Sequence, residues 1–286
     1  MLVDALKAES YRFSLNRVLV FISVLLTPLL FAIGGVLFHW VSKINGDKAA
    51  QAAKLNVAAP SEAVNLGDVF GFAAAGCANG FVLICVLIAA ATLYAGDYRW
   101  ETWRLISARN DRTSLLLAKV GVVKLIAIIS SLFFLAASLI FFLAQAMVYQ
   151  RGLSFSVPAG DIGGIALTWL LSYVRIVQFT LIGLLAAVMT RSLLAALIVP
   201  WALGFIQSLA GQLGPALFGM DPGGWTLQLL LPGLAYDTLK AAVEGPLDAP
   251  LTGAVVWKAL TGLTLWTILP LAGALAWFRK QDLSKE

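Results

Sequence analysis

Residues 121–148 read GVVKLIAIISSLFFLAASLIFFLAQAMV, an apolar run in which Lys124 is the single charged residue. A helix needs about 20 mostly apolar residues to cross the hydrocarbon core of a bilayer, so this run is long enough to span one. A helix also satisfies every backbone N–H and C=O group within its own segment, which a lipid environment requires. The run therefore predicts a transmembrane helix.

Five further runs share this length and character. They cover about residues 18–41, 69–95, 165–189, 192–217 and 254–278. The whole chain of 286 residues is 60% hydrophobic and 12% charged, whereas soluble domains are about 25% charged. We therefore predict an all-α membrane protein in which residues 1–286 form a single transmembrane domain of six helices.

The lysines and arginines between the runs predict the orientation, because basic residues accumulate on the cytoplasmic side. With both termini inside, the inner segments hold Lys7, Arg12, Arg17, Arg99, Arg104, Arg109, Arg112, Lys119, Arg191, Arg279, Lys280 and Lys285. The outer segments hold fewer, namely Lys43, Lys48, Lys54, Arg151 and Lys240. This bias places both termini in the cytoplasm and explains the net charge of +5 without a nucleic-acid partner.

Two of the polar segments carry their own predictions. Residues 1–17 mix apolar and charged side chains in a pattern typical of a short helix on the inner membrane surface. Residues 218–253 contain the turn signals Asp221-Pro222-Gly223-Gly224 and Pro232-Gly233. The apolar stretch Trp225–Leu231 between them is too short to span. We expect it to dip into the outer interface or to re-enter the membrane before the last helix.

The inner segment 96–119 predicts a short amphipathic helix, because Trp100 and Trp103 recur at helical spacing while Arg99, Glu101 and Arg104 fall largely elsewhere on the wheel. Two interpretations stand side by side. The helix is either an interfacial anchor with tryptophans at the headgroups or a docking surface for a soluble partner.

Catalytic and metal-binding patterns are missing from the sequence. The six runs hold no Asp or Glu well inside them, so no carboxylate-based ion-coupling site is predicted. His39 is the one histidine, and Cys77 and Cys85 fit plain packing within an apolar run. No Gly-rich phosphate loop ending in Gly-Lys-Ser/Thr occurs, so ATP binding of that kind is not expected of this chain. We predict no catalytic residues, no metal site and no bound cofactor.

Arg175 is the exception inside a run, with Gln178 one helical turn further on. A cation at mid-membrane costs about 2.5–3.5 kcal/mol on insertion scales, so it should face protein or water. One interpretation makes Arg175 and Gln178 residues of a translocation pathway for an anionic or polar substrate. The other starts the membrane span nearer Tyr173, so that Arg175 extends its charge outward to the interface.

The loop between the second and third runs resembles that of the membrane subunits of ATP-binding-cassette exporters, the type-2 permease family. The matching elements are Gly96-Asp97, Glu101-Thr102-Trp103-Arg104, Arg112 and the stretch from Leu115 to Lys119. Many members have a proline before the second arginine, where this chain has Asn110-Asp111, which also favours a turn. The layout of the whole chain fits the family, and the motif covers this loop alone.

The resemblance implies a permease subunit in a bacterial inner membrane that pairs with a second copy or a sister permease and binds a dimer of separate ATPase subunits. ATP and Mg²⁺ would then be bound by those partners. The loop 96–119 would be the coupling helix. Its expected coupling residues are Arg99, Glu101, Trp103, Arg104, Arg109, Arg112 and Lys119. The residues themselves leave two alternatives open, a secondary carrier and a non-transporting membrane anchor or assembly factor, and they do not identify a substrate.

Overall fold

The computed structural model of the chain describes residues 2–52, 62–100, 102–103, 111–157, 161–245 and 251–281. Within them the fold is helical, apart from two short strands, β1 (Val64–Asn65) and β2 (Leu153–Ser154). The helices are α1 (Leu2–Leu15), α2 (Arg17–Val20), α3 (Thr27–Ala52), α4 (Leu66–Gly76), α5 (Gly80–Arg99), α6 (Arg112–Val148), α7 (Asp161–Thr190), α8 (Leu193–Phe218), α9 (Trp225–Leu230), α10 (Pro232–Glu244) and α11 (Gly253–Lys280).

Six of the described helical segments are long and apolar enough to cross a membrane. The prediction of an all-helical fold with six helices of membrane-spanning length and composition is thereby confirmed. The first of these segments is continuous over Arg17–Ala52, because a π-helical turn at Phe21–Leu26 joins α2 to α3. This helix is longer than the predicted 18–41, since the polar residues that follow Val41 continue it.

The second apolar run, 69–95, is two helices rather than the single span predicted. Asn79 separates α4 from α5: its Nδ2 donates to the carbonyl of Gly76 (2.8 Å), and its Oδ1 accepts from the N–H groups of Phe81 (2.9 Å) and Val82 (3.0 Å). An asparagine at this position caps the new helix and satisfies its first N–H groups. Hydropathy did not reveal the break because apolar residues flank Asn79 on both sides.

The long helices run between two ends of the bundle. The Arg99 end holds α1, the last turns of α5 and α11, and the first turn of α6. There the carbonyl of Gln281 accepts from Arg112 Nη1 (2.7 Å). The Asn65 end holds the parallel pair of β1 and β2, in which Val64 lies opposite Leu153. The Asn65 side chain fastens this end by donating to the carbonyl of Ser156 (3.0 Å) and accepting from its N–H (2.9 Å).

Helices α9 and α10 form a hairpin that enters the bundle from the Asn65 end and returns to it. Trp266 Nε1, near the middle of α11, donates to the carbonyl of Leu229 at the end of α9 (2.7 Å). The Tyr236 hydroxyl, near the start of α10, lies 2.9 Å from the Ser172 hydroxyl, which belongs to the middle of α7. The turn of the hairpin is therefore level with the midpoints of α7 and α11.

The core of the bundle lies around α5 and α7. In the most apolar window of each helix, 72% of the residues are buried for α5 and for α7, against 17% for α8. Helix α8 is thus peripheral, and large apolar side chains such as Trp201, Phe205 and Ile206 remain more than half exposed along it.

Candidate functional site

A buried charged cluster lies at the Arg99 end, between α1, α5 and α6. Lys119 Nζ is 3.1 Å from Glu9 Oε1 and 2.5 Å from Asp97 Oδ2. Arg12 Nη1 lies 2.8 Å from Asp97 Oδ1, which also accepts from the Thr102 hydroxyl at 2.7 Å. Two cations and two anions balance one another here, and the side chains of Lys119 and Asp97 are only 1% and 2% exposed.

Trp103 closes the cluster from the loop side. Its side chain is fully buried, with its ring centroid 4.7 Å from that of Phe278 and 5.7 Å from that of Tyr98. Lys119 Nζ lies 5.2 Å from the centroid of the Trp103 ring, within cation–π range. Trp103 and Lys119, both expected to be coupling residues, are therefore interior residues that hold the loop in place.

The other predicted coupling residues have different positions. Arg99 is exposed, and its guanidinium lies 5.4 Å from the Trp100 ring centroid. Arg112 donates to Gln281, whose side chain accepts from the Tyr98 hydroxyl (2.9 Å), so it joins the start of α6 to the end of α11. Three further predicted residues, Glu101, Arg104 and Arg109, lie outside the described residues, as does most of the predicted amphipathic helix.

Sequence reasoning missed the partners of Lys119. The sequence predicts a surface helix over residues 1–17, yet Glu9 within it is only 7% exposed and packs against α6. The available signal was the pattern Glu9–Arg12, two opposite charges one helical turn apart on an otherwise apolar helix face. Their pairing with Lys119 could not be read from the chain, because 110 residues separate Glu9 from Lys119.

A cavity of about 640 Å³ lies between α5, α7, α8 and α10. Arg175 borders it from the middle of α7, which begins at Asp161. The helix itself therefore extends about four turns before Arg175, while the alternative in which the membrane span starts nearer Tyr173 stays a prediction. Arg175 Nη1 donates to Gln178 Oε1 (2.8 Å), and Nη2 packs so closely on Gly233 that a Cβ there would lie 3.2 Å from it.

The cavity combines polar groups with apolar walls. Polar side chains from α8 and α10 border it, among them Gln207, Ser208, Gln212 and Asp237. The walls are apolar or aromatic and include Leu83, Ile84, Phe179, Trp201 and Phe205. This arrangement suits a binding or passage site.

Among the described residues, no group of three or more His, Cys, Asp or Glu side chains could bind a metal ion. The His39 side chain packs among aromatic rings. Its ring centroid lies 4.7 Å from that of Phe141 and 5.7 Å from that of Tyr149. Comparison of the chain with protein-family models, with curated proteins and with solved structures finds no match.

Proposed function

We propose that this chain is the permease subunit of an ATP-driven exporter of the type-2 ATP-binding-cassette kind, working with a separate ATPase dimer that binds ATP and Mg²⁺. The observation that carries the proposal is the buried charged cluster around Lys119. It fastens the segment after α5 to both α1 and α6, so a force applied to that segment by a partner would reach two further helices. A loop that only anchored tryptophans at the headgroups would not need such fastening.

The coupling residues divide into two groups in this proposal. Exposed Arg99, together with Glu101, Arg104 and Arg109 of the expected coupling residues, would contact the ATPase. Trp103, Arg112 and Lys119 would position the loop. Trp103 and Lys119 are buried, and Arg112 donates a hydrogen bond to the carbonyl of Gln281. Charges at the rim of such a contact act mainly on association and specificity.

Arg175 supports a translocation pathway through the cavity, and Gln178, which is fully buried and does not border the cavity, would position its guanidinium. Ser208 and Gln212 are exposed near the middle of α8, with Gln212 Nε2 donating to the Ser208 hydroxyl (3.3 Å). Polar side chains at that depth are unfavourable against lipid tails and favour protein or water instead. We therefore propose that this face of α8 meets a second permease copy, either identical or a sister chain, across a shared pathway.

Orientation and location follow from the basic residues. The Arg99 end would face the cytoplasm of a bacterial cell, with both termini there and with the protein in the inner membrane. The α9–α10 hairpin would then enter from the outer side. Because its turn is level with the midpoints of α7 and α11, it supports the role of a re-entrant element that gates the exit.

The test is reconstitution with the ATPase encoded beside this gene. We expect the ATPase to co-purify with the full-length chain and its hydrolysis rate to change on assembly. Arg104→Glu should abolish both effects, and Arg17→Glu, a matched charge reversal at an exposed arginine outside the loop, should leave both unchanged. Absence of association together with full transport by Arg104→Glu would overturn the proposal. Transport that survives ATP depletion and collapses with the proton gradient would identify a secondary carrier.

A further inference from the structure

The cavity beside Arg175 is bordered by a buried hydrogen-bond donor, the amide of Gln207, that has no acceptor. Gln207 is 7% exposed, borders the cavity, and its Nε2 has no hydrogen-bond partner. Arg175 forms no ion pair within 4.0 Å with any carboxylate of the described residues. Arg175 is partly buried, and the one carboxylate bordering the same cavity, Asp237, lies beyond ion-pair distance. The Gln207 amide is buried without an acceptor, which is costly. Together they indicate that an acceptor group from outside the chain completes the site.

The start of α10 adds positive character to the same place. Gly233 and Leu234, in the first turn of this helix, border the cavity, and its cap residue Leu231 supplies no side-chain acceptor. First-turn N–H groups lack partners within the helix and carry the positive end of its dipole. The close packing of Arg175 Nη2 on Gly233 brings the guanidinium next to this helix end.

We infer that the cavity binds the anionic group, a phosphate or a carboxylate, of an amphiphilic substrate whose apolar body lies against Trp201 and Phe205. This inference rests on the proposed function, since it assigns a substrate class to the proposed pathway. Arg175, Gln207 and the start of α10 bind the anion. Asp237, which also borders the cavity, disfavours a second negative charge on the ligand.

The apolar walls decide against a free inorganic anion as the ligand. Trp201 and Phe205 border the cavity while their side chains are 53% and 56% exposed. They would therefore contact a long apolar chain that extends from the cavity along α8. A site for free phosphate would gain nothing from such walls, because apolar surface contributes only when an apolar partner buries it.

The experiment measures binding of radiolabelled dodecyl phosphate to the full-length chain in phosphatidylcholine nanodiscs without any ATPase, with empty nanodiscs as background. It is run at about pH 5, below the second phosphate pKa of about 6, so that the probe carries a single negative charge. We expect dodecyl phosphate to bind at least about tenfold more tightly than dodecanol, because charge-assisted hydrogen bonds supply that difference. Inorganic phosphate should fail to displace it. Displacement by inorganic phosphate at equal concentration would overturn the amphiphile assignment in favour of a free anion.

Variants localise the site. Arg175→Met should weaken dodecyl phosphate binding about tenfold or more, and Arg175→Lys should weaken it less. The same change at an exposed arginine, Arg17→Met, should have no effect. Gln207→Leu replaces an unpartnered buried amide, so it should fold normally and still weaken binding about threefold by loss of one neutral hydrogen bond.

Two results would overturn the inference. The first is equal affinity for dodecyl phosphate and dodecanol. The second is wild-type affinity for dodecyl phosphate both in Gln207→Leu and in a folded Arg175 variant. Both readouts are independent of the ATPase. If the ATPase associates with the chain and dodecyl phosphate shows no preference, the substrate class is wrong while the proposed function stands. If dodecyl phosphate binds preferentially and the ATPase does not associate, the substrate class stands while the proposed function is wrong.

Discussion

Lys119 Nζ lies 3.1 Å from Glu9 Oε1 although 110 residues separate the two along the chain. The contact joins α1, which the sequence predicts as a helix on the membrane surface, to the first half of the longest described helix. Both side chains are at least 92% buried. The amino-terminal helix is therefore fastened to the bundle at the Arg99 end through Glu9, its one buried residue, while most of its other side chains are exposed.

Removal of Lys119 should destabilise the protein strongly. Lys119→Met leaves the two buried carboxylates of Glu9 and Asp97 to share the partly exposed Arg12, and breaking a buried ion pair by removing one partner costs about 3–5 kcal/mol. We expect a clearly lower midpoint of thermal unfolding in detergent. Lys7→Met, the same change at an exposed lysine of α1, should leave the midpoint unchanged. Equal midpoints for the two variants would show that the cluster does not stabilise the fold.

The break between α4 and α5 should depend on Asn79. Asn79→Ala removes the acceptor for Phe81 and Val82 and the donor to Gly76, and loss of such a cap costs about 1 kcal/mol. The free energy of unfolding, measured by denaturant titration in detergent, should fall by this amount. Asn45→Ala, at an exposed position inside α3, should not lower it, because alanine favours helix. A loss of the same size in both variants would contradict the capping role.

The α9–α10 hairpin should require a glycine on α11. A Cβ at Gly262 would clash with the backbone carbonyl of Gln228, which cannot move as a flexible side chain would. Gly262→Ala should destabilise the protein by about 1–3 kcal/mol, the range for overpacking, and should displace the hairpin. Gly163→Ala, where nothing lies within 4 Å of the added atom, is the matched control. Thermal unfolding that is the same for both variants would disprove the close approach.

The stabilisation that Asp111 gives to the N-terminus of α6 should depend on pH. Its Oδ2 accepts from the Ser114 N–H (2.9 Å) and hydroxyl (3.0 Å), and these hydrogen bonds hold the pKa of the Asp111 carboxyl below its usual 3.8. The stabilisation is therefore present above that ordinary value and is lost as the pH falls through the lowered one.

Asp111→Asn isolates this effect, because asparagine also caps helices but does not titrate in this range. We expect the difference in unfolding midpoint between the wild-type protein and the variant to be constant near neutral pH and to shrink below about pH 4. A difference that stays constant down to about pH 2 would show that the Asp111 charge contributes nothing.

Hydropathy predicted the long helices because a membrane span needs only length and apolar composition, as the run 121–148 shows. It could not locate Asn79 as a break, since a single capping amide changes the mean hydropathy of a long window very little. It also ended the first helix at Val41, because polar residues such as Lys43 are compatible with helix but not with the interior of a bilayer.

For the candidate sites too, some features follow from the sequence and others only from the packing of the helices. The sequence by itself determined that this chain forms six helices long and apolar enough to cross a membrane, and that Arg175 is an isolated cation within an apolar run. Only the tertiary structure decided that Lys119 is neutralised by Glu9 and Asp97, and that Arg175 meets Gln207 and the start of α10 at one cavity. The physical reason is that local composition fixes where a segment prefers to lie, whereas the partner of a buried charge is chosen by packing between helices far apart in sequence.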